Sequence, residues 1–148
     1  MIQPVQYNVI SFKSNSHLQP IEKSVDLHHK LILNGYRDNT ETNKSRIDYL
    51  YSEIDEFKQA VTEGNRKDME EEIGDVIFGA ILLADDYGIN PVDALNKTNK
   101  KISTRLNLAR IFAQGPLTDY PFDKRMEFWE MAKKEIKRRE KKGIDTTV

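Results

Sequence analysis

Apolar and polar residues recur along most of this chain with the 3.6-residue period of an α-helix. Turn-forming residues interrupt that period at Asn34-Gly35, at Gly64-Asn65, around Gly88 to Pro91, and at Gln114-Gly115-Pro116. The intervals between these breaks predict helices over about 20–33, 44–63, 66–87, 91–113 and 122–142. We therefore expect an all-α fold, a four- to five-helix bundle whose neighbouring helices pack antiparallel where their loops are short.

Residues 1–19 do not share this helical period. The segment MIQPVQYNVISFKSNSHLQ alternates only loosely and contains Pro4 and several turn formers. It predicts an extended N-terminal arm with a short strand around Tyr7 to Phe12. Residues 20–148 are then expected to form one helical domain, because they contain neither an internal repeat nor a low-complexity linker.

The third predicted helix contains the stretch MEEEIGDVIFGAILLA, from Met69 to Ala84. Asp75 interrupts a run that is otherwise apolar or glycine from Ile73 onward. With a turn of 100° per residue, Asp75 lies beside Glu72 on a helix that we expect to be mostly buried. A poorly solvated carboxylate is neutralised, pairs with a cation or binds a metal, because leaving it bare costs several kcal/mol.

A second pair of acids, Glu53 and Glu56, lies on the second predicted helix at the same i, i+3 spacing as Glu72 and Asp75. The short loop at Gly64 makes the two helices antiparallel, so the two pairs should face each other. Four carboxylates at one place suit Mg²⁺, with Mn²⁺ as a second candidate. The alternative is that these are solvated acids in a chain that is 32% charged, and Asp75 within its apolar run favours the metal.

The fourth predicted helix carries an amide and two cations of interest. Asn99 interrupts the inward-facing apolar stripe between Leu95 and Ile102, where a buried amide needs partners. Lys101 and Arg105 are one turn apart, and phosphate groups would stabilise this like-charged pair. A solvated basic face is an equally good interpretation. The predicted stripe comprises Val92, Leu95, Ile102, Leu106, Ala109 and Ala113.

The last predicted helix contains the single tryptophan, Trp129, with Lys133 one turn later. Phe122, Met126 and Trp129 have the spacing of core residues, which favours a buried anchor over stacking on a ligand. The basic segment KKEIKRREKKG complements the dipole at the end of this helix, and this reading is preferred to a nucleic-acid contact.

Composition narrows the class of protein. The chain of 148 residues has 23 Lys and Arg against 24 Asp and Glu, and this near neutrality argues against general nucleic-acid binding. It has no cysteine, its longest apolar run is too short to span a bilayer, and it shows no signal-peptide pattern. We expect a cytoplasmic protein without a membrane partner. His28 and His29 show no ligand spacing, and the absence of Glu-x-x-His disfavours a di-iron site.

Five segments together resemble the MazG-type, all-α nucleoside triphosphate pyrophosphohydrolases. The segments EIDEF and EEEIGDVIF are similar to the family's EExxE…ExxD signature, and TNKSRIDYL, NKKISTRL and EFWEMAKK are similar to its flanking motifs. The resemblance covers roughly residues 41–139. Ser52 replaces the first Glu of the signature, Asn43 replaces a histidine, and the family's C-P-W-D segment has no counterpart. These departures concern base recognition more than the metal site.

The resemblance implies Mg²⁺-dependent cleavage of a nucleoside triphosphate between its α and β phosphates, which gives a nucleoside monophosphate and pyrophosphate. It implies metal-binding, catalytic roles for Glu53, Glu56, Glu72 and Asp75. It implies substrate contacts for Asn99, Lys101, Arg105, Trp129 and Lys133.

Two alternatives stay open at this point. Phosphoribosyl-ATP pyrophosphohydrolases share the fold and the acidic pairs, although the tryptophan-bearing last helix disfavours them. A non-enzymatic helical adaptor with a structural metal site would also carry an acidic stripe. For either enzyme we expect a homo-oligomer, most simply a two-fold dimer, because the third helix is apolar on nearly all sides.

Overall fold

In a computed structural model of the chain, which describes residues 19–37 and 43–148, five α-helices follow one another and no strand is present. They are α1 (Gln19–Leu33), α2 (Asn43–Glu63), α3 (Arg66–Asp86), α4 (Pro91–Ala113) and α5 (Phe122–Lys142), with a short 3-10 helix at Leu117–Asp119. The all-α prediction is confirmed, and the helix ends agree with the sequence pattern to within one or two residues. The predicted strand around Tyr7 to Phe12 and nearly all of the arm lie outside the described residues.

Gly64 and Asn65 form the turn between α2 and α3, one by its backbone conformation and the other by capping α3. Gly64 adopts a left-handed conformation with φ of 70°, which a residue without Cβ adopts at no steric cost. The Asn65 side chain then accepts hydrogen bonds from the backbone N–H groups of Lys67 and Asp68, and this caps α3. At the end of α4 the left-handed residue is Gln114 and not the adjacent Gly115.

The chain forms two compact units, and the first contains the described residues up to Val92. Within it, α2 and α3 make an antiparallel helical hairpin along most of their length, and α1 packs against α3. The hairpin buries Ala60 from α2 and Ile81 and Leu82 from α3. This unit contains all four acids of the predicted metal site.

The second unit runs from Asp93 to Val148. Its core joins the end of α4 to the middle of α5 through Leu108, Ala109, Ala113, Phe128 and Ala132. The hydroxyl of Tyr120 donates a hydrogen bond of 2.8 Å to the backbone oxygen of Ala113, and its ring meets Phe128 edge-on with the centroids 5.0 Å apart. The connector between the helices is therefore pinned to both of them.

Several apolar residues predicted to face inward are exposed, so these assignments were wrong. On α4 the buried positions are Thr104, Leu108, Ala109 and Ala113, whereas Leu95, Ile102 and Leu106 of the predicted stripe are exposed. On α5, Phe128 and Ala132 are buried, whereas Phe122 and Met126 are exposed. The cause is that small residues let the helices approach closely, so the contact faces are narrower than the apolar stripes.

Over the described residues, no helix combines the length and the apolar character needed to cross a membrane.

The two glycines within α3 provide a test of the helix packing. A Cβ at Gly74 would meet nothing within 4 Å, whereas one at Gly79 would lie 3.2 Å from Leu50 Cδ1 on α2. Replacing a glycine inside a helix by alanine gains about 0.5–1 kcal/mol when there is room. Gly74→Ala should therefore raise the free energy of unfolding in urea by about that much, and Gly79→Ala should gain clearly less. Equal gains from the two variants would contradict the close packing at Gly79.

Candidate functional site

Three carboxylates from two helices converge at the middle of the α2–α3 hairpin. Glu53, Glu56 and Glu72 each present one carboxylate oxygen, and these three oxygens lie within 4.8 Å of one another. The i, i+3 spacing aligns Glu53 with Glu56 on α2, and the antiparallel hairpin brings Glu72 of α3 opposite them. Glu53 is 8% exposed, so part of this cluster is removed from water.

One oxygen of the Glu72 carboxylate lacks a hydrogen bond from the described residues. This atom, Oε2, is buried. Burial, and after it the negative charges of Glu56, Asp75 and Glu53, raises the pKa of the Glu72 carboxyl above its ordinary value. The cluster holds like charges together, so it is electrostatically strained in the absence of a ligand.

Gly79 permits the close approach that creates this cluster. A Cβ at position 79 would meet the side chains of Leu50, Tyr49 and Glu53 at 3.2, 3.7 and 3.9 Å. Tyr49 donates a side-chain hydrogen bond to Glu53, and burial together with that bond and the Glu53 charge raises the pKa of Tyr49 to about 12. The phenol therefore keeps its proton at neutral pH and holds the Glu53 carboxylate in place.

Asp75 is placed differently from the expectation drawn from its apolar surroundings in the sequence. It is exposed, as are its apolar neighbours Ile73 and Ile77, so the expectation that α3 is mostly buried was wrong for this chain on its own. Asp75 lies outside the group of three converging oxygens, yet its charge acts on both Glu72 and Tyr49. It borders the cluster on its solvent side.

The residues fit a hard divalent cation. The donors are all carboxylate oxygens, which Mg²⁺ and Mn²⁺ prefer, and one of them, Glu72 Oε2, is buried without a hydrogen bond from the described residues. Mg²⁺ commonly retains water or phosphate oxygens beside one or two carboxylates. Glu56 and Asp75 are exposed, so such ligands can reach the cluster from solvent.

The basic residues of α4 lie in the second unit. Asn99 and Lys101 are exposed, so the sequence-based argument that Asn99 is a buried amide was wrong. Arg105 is partly buried, and its Nε atom is buried without a hydrogen-bond partner among the described residues. Its charge contributes to lowering the pKa of Glu130, so Arg105 and Glu130 are close enough to interact.

On α5, Trp129 is partly buried, and Lys133 forms an ion pair of 2.8 Å with Glu130 one turn earlier. The hydrogen bond from Lys133 is the main cause that lowers the pKa of Glu130. Glu130 therefore links Lys133 to Arg105 electrostatically within this unit. Two of the five residues that the resemblance assigns to substrate binding, Arg105 and Lys133, thus both lie close to Glu130.

Sequence reasoning missed a polar cluster at the other end of α3. Buried His28, which is 1% exposed, has Nδ1 2.7 Å from Asp85 and Nε2 3.2 Å from Asp86. Arg37 donates to Asp86 at 2.6 Å, and Arg46 lies 3.5 Å from the same carboxylate. The cluster ties α1, α2 and the segment between them to α3. In the sequence, the only sign of this cluster is the adjacent pair Asp85 and Asp86 at the end of an apolar helix. The residues that pair with these acids come from distant parts of the sequence.

The charge strain in the cluster can be measured without any ligand. Glu72→Gln keeps the shape of the side chain and removes one of the like charges, so we expect thermal melts in EDTA to show a melting temperature at or above that of wild type. Glu71→Gln is the matched control, since Glu71 is an exposed neighbour on the same helix and contributes least to the Glu72 shift. A Glu72→Gln protein that melts several degrees below wild type, while Glu71→Gln does not, would show that Glu72 is a structural acid.

Comparison with known proteins gives a consistent result. Residues 41–108 match the sequence profile of the MazG nucleotide pyrophosphohydrolase domain. The chain is also similar to proteins named nucleoside triphosphate pyrophosphohydrolase from Escherichia coli strain K12 and from Escherichia coli O157:H7. Each is 33% identical over 96 residues, which cover 60% of this chain and 36% of the relative. The chain therefore spans only about a third of the length of these relatives.

The matched segment contains α2, α3 and most of α4, and all three converging carboxylates lie within it. The resemblance seen in the acidic motifs is confirmed by the match of residues 41–108 to the MazG nucleotide pyrophosphohydrolase domain.

Proposed function

We propose that this protein hydrolyses a nucleoside triphosphate between its α and β phosphates and releases a nucleoside monophosphate and pyrophosphate. The observation that carries the proposal is the convergence of Glu53, Glu56 and Glu72 within the MazG segment, with an unpartnered buried oxygen on Glu72. The names of the two Escherichia coli relatives support the same reaction.

In this proposal the three converging glutamates hold Mg²⁺, or Mn²⁺ in its place, with Asp75 completing the acidic site. A divalent cation bound there supplies Lewis acidity toward phosphate oxygens and makes water more acidic. Tyr49 fixes one oxygen of Glu53 through its hydrogen bond, and its pKa of about 12 keeps it a neutral donor throughout the working pH range. Glu53 is thus oriented before the ligand arrives.

The cationic groups of the second unit are proposed to bind the phosphate chain. Arg105 can form two parallel hydrogen bonds with a phosphate, and Lys101 supplies a mobile positive charge. Such groups stabilise the negative charge that develops on the departing pyrophosphate. Asn99, Trp129 and Lys133 are proposed as further substrate contacts on the strength of the motif resemblance.

The reaction itself is tested by incubating the protein with each common nucleoside triphosphate and Mg²⁺ in ¹⁸O-labelled water. We expect pyrophosphate without label and a monophosphate that carries the label, because attack occurs at the α phosphorus. Asp75→Asn should abolish pyrophosphate release while the chain stays folded. Release of inorganic phosphate instead of pyrophosphate would contradict the proposed cleavage site. No hydrolysis of any nucleotide would contradict the proposed reaction and would favour the adaptor alternative.

The role of Arg105 can be separated from that of the metal site. Arg105→Ala should lower kcat/KM by about 1–3 kcal/mol, the scale of a hydrogen bond to a charged group, and should leave Mg²⁺ affinity unchanged. Arg110→Ala is the matched control, because Arg110 is an exposed arginine on the same helix. Wild-type kinetics in Arg105→Ala would remove Arg105 from the proposed site.

Assembly is the last part of the proposal. Ile73 and Ile77 on α3 are 39% and 56% exposed, and Leu95, Ile102 and Leu106 on α4 are exposed as well. Exposed apolar faces of this extent are typical of an interface, so we expect a homo-oligomer, most simply a two-fold dimer. Sedimentation equilibrium at micromolar protein should give at least twice the chain mass, and Ile77→Glu should lower it. A wild-type monomer would contradict this expectation.

A further inference from the structure

A cavity of about 380 Å³ lies beside the carboxylate cluster in the first unit. Its walls include the aromatic side chains of Tyr36, Tyr49 and Phe78, and its polar lining comes from Arg37 and Ser45. Tyr49 belongs to both places, because its ring lines the cavity while it donates a hydrogen bond to Glu53. A molecule in this cavity would therefore be one tyrosine side chain away from the proposed metal ligands.

The shape and lining of the cavity suit a flat aromatic group with a polar edge. Aromatic side chains stack on nucleobases, and an apolar cavity with few polar groups is the usual form of a small-molecule site. Tyr36 is 80% exposed at the open side, so its ring is available to cover a bound base. An apolar groove along Leu27, Leu31 and Phe78 continues from the same walls.

Arg37 is a charged hydrogen-bond donor in the lining of the cavity. Its side chain is 12% exposed and is held by Asp86 at 2.6 Å, so its position is fixed before any ligand binds. A guanidinium group only donates hydrogen bonds. A carbonyl oxygen at the edge of a base is a matching acceptor, whereas an exocyclic amino group at the same place presents a second donor and is rejected.

We propose that this cavity binds the nucleobase of the substrate and that Arg37 selects bases with a carbonyl group, namely 6-oxopurines and 4-oxopyrimidines, over their amino counterparts. This inference rests on the proposed pyrophosphohydrolase activity, since a divalent cation held by the carboxylates next to Tyr49 would then bind the phosphate end of the same molecule. Tyr36 stacks on the base, and Arg37 reads its edge.

Two matched pairs of nucleotides test the selection. Inosine triphosphate and adenosine triphosphate differ at the 6-position of the purine, and uridine and cytidine triphosphates differ at the 4-position of the pyrimidine. Within each pair we expect kcat/KM for pyrophosphate release to favour the oxo base by about tenfold or more, the scale of one good pair of hydrogen bonds to a base edge. Equal rates within both pairs would overturn the selection while leaving the reaction intact.

Variants assign the two roles to residues. Arg37→Gln, whose amide can both donate and accept, should bring the ratio within each pair close to one, whereas Arg37→Lys keeps a cation for Asp86 and a donor for the base and should retain the preference. Tyr36→Ala should raise KM for all four nucleotides by about fivefold or more through lost stacking. Tyr51→Ala, which removes an exposed tyrosine of α2 that does not line the cavity, should change nothing. Unchanged ratios in a folded Arg37→Gln protein would overturn the role of Arg37.

Binding of free nucleosides separates this inference from the reaction. Calorimetric titration with inosine, adenosine, uridine and cytidine needs neither metal nor hydrolysis. Tighter binding of the oxo nucleosides, lost in Arg37→Gln, supports the cavity assignment even if no triphosphate is hydrolysed, in which case the proposed reaction alone fails. If triphosphates are hydrolysed but neither the kinetic assay nor the calorimetric titration shows a preference for oxo bases, the proposed base selection is overturned and the proposed reaction stands.

Discussion

The candidate site depends on holding like charges together where α2 and α3 approach most closely. Gly79 lies against Leu50, Tyr49 and Glu53, and the missing Cβ at this position lets the two helices come close enough for three carboxylates to share one place. The resulting repulsion, together with burial of one Glu72 oxygen, is a free-energy cost in the isolated chain. A divalent cation removes that cost, which is the physical reason for interpreting the cluster as a metal site.

The surroundings of the cluster make this strain tolerable. On one side Tyr49 donates to Glu53 and connects the acids to an aromatic cavity. At the far end of α3, the His28 and Asp86 cluster with its two arginines ties α1, α2 and α3 together and opposes any separation of the hairpin. The same arginine, Arg37, lines the cavity, so the group that helps to fix the helices also presents hydrogen-bond donors toward the proposed base site. Arg37 therefore contributes both to the packing of the helices and to the proposed selection of the base.

Helix positions and the convergence of Glu72 with Glu53 and Glu56 could be predicted from the sequence, because caps such as Asn65 and spacings such as Glu53 to Glu56 are local properties. Burial could not be predicted in the same way. Asp75 and Asn99 lie within apolar patterns but are exposed. Small residues such as Gly79, Ala60 and Ala132 are buried where helices meet, and a pattern of large apolar residues does not identify them. The ion pairs of His28 with Asp85 and Asp86 join residues more than fifty positions apart, and no spacing rule detects such pairs.

Metal binding by Glu53, Glu56 and Glu72 can be measured by titrating the metal-free chain with Mn²⁺ and recording the electron paramagnetic resonance signal of the free ion. We expect saturable Mn²⁺ binding that Mg²⁺ competes away, that is lost in Glu72→Gln, and that is unaffected in Glu71→Gln. No saturable binding to wild type, or equal binding to the wild-type and Glu72→Gln proteins, would contradict this expectation.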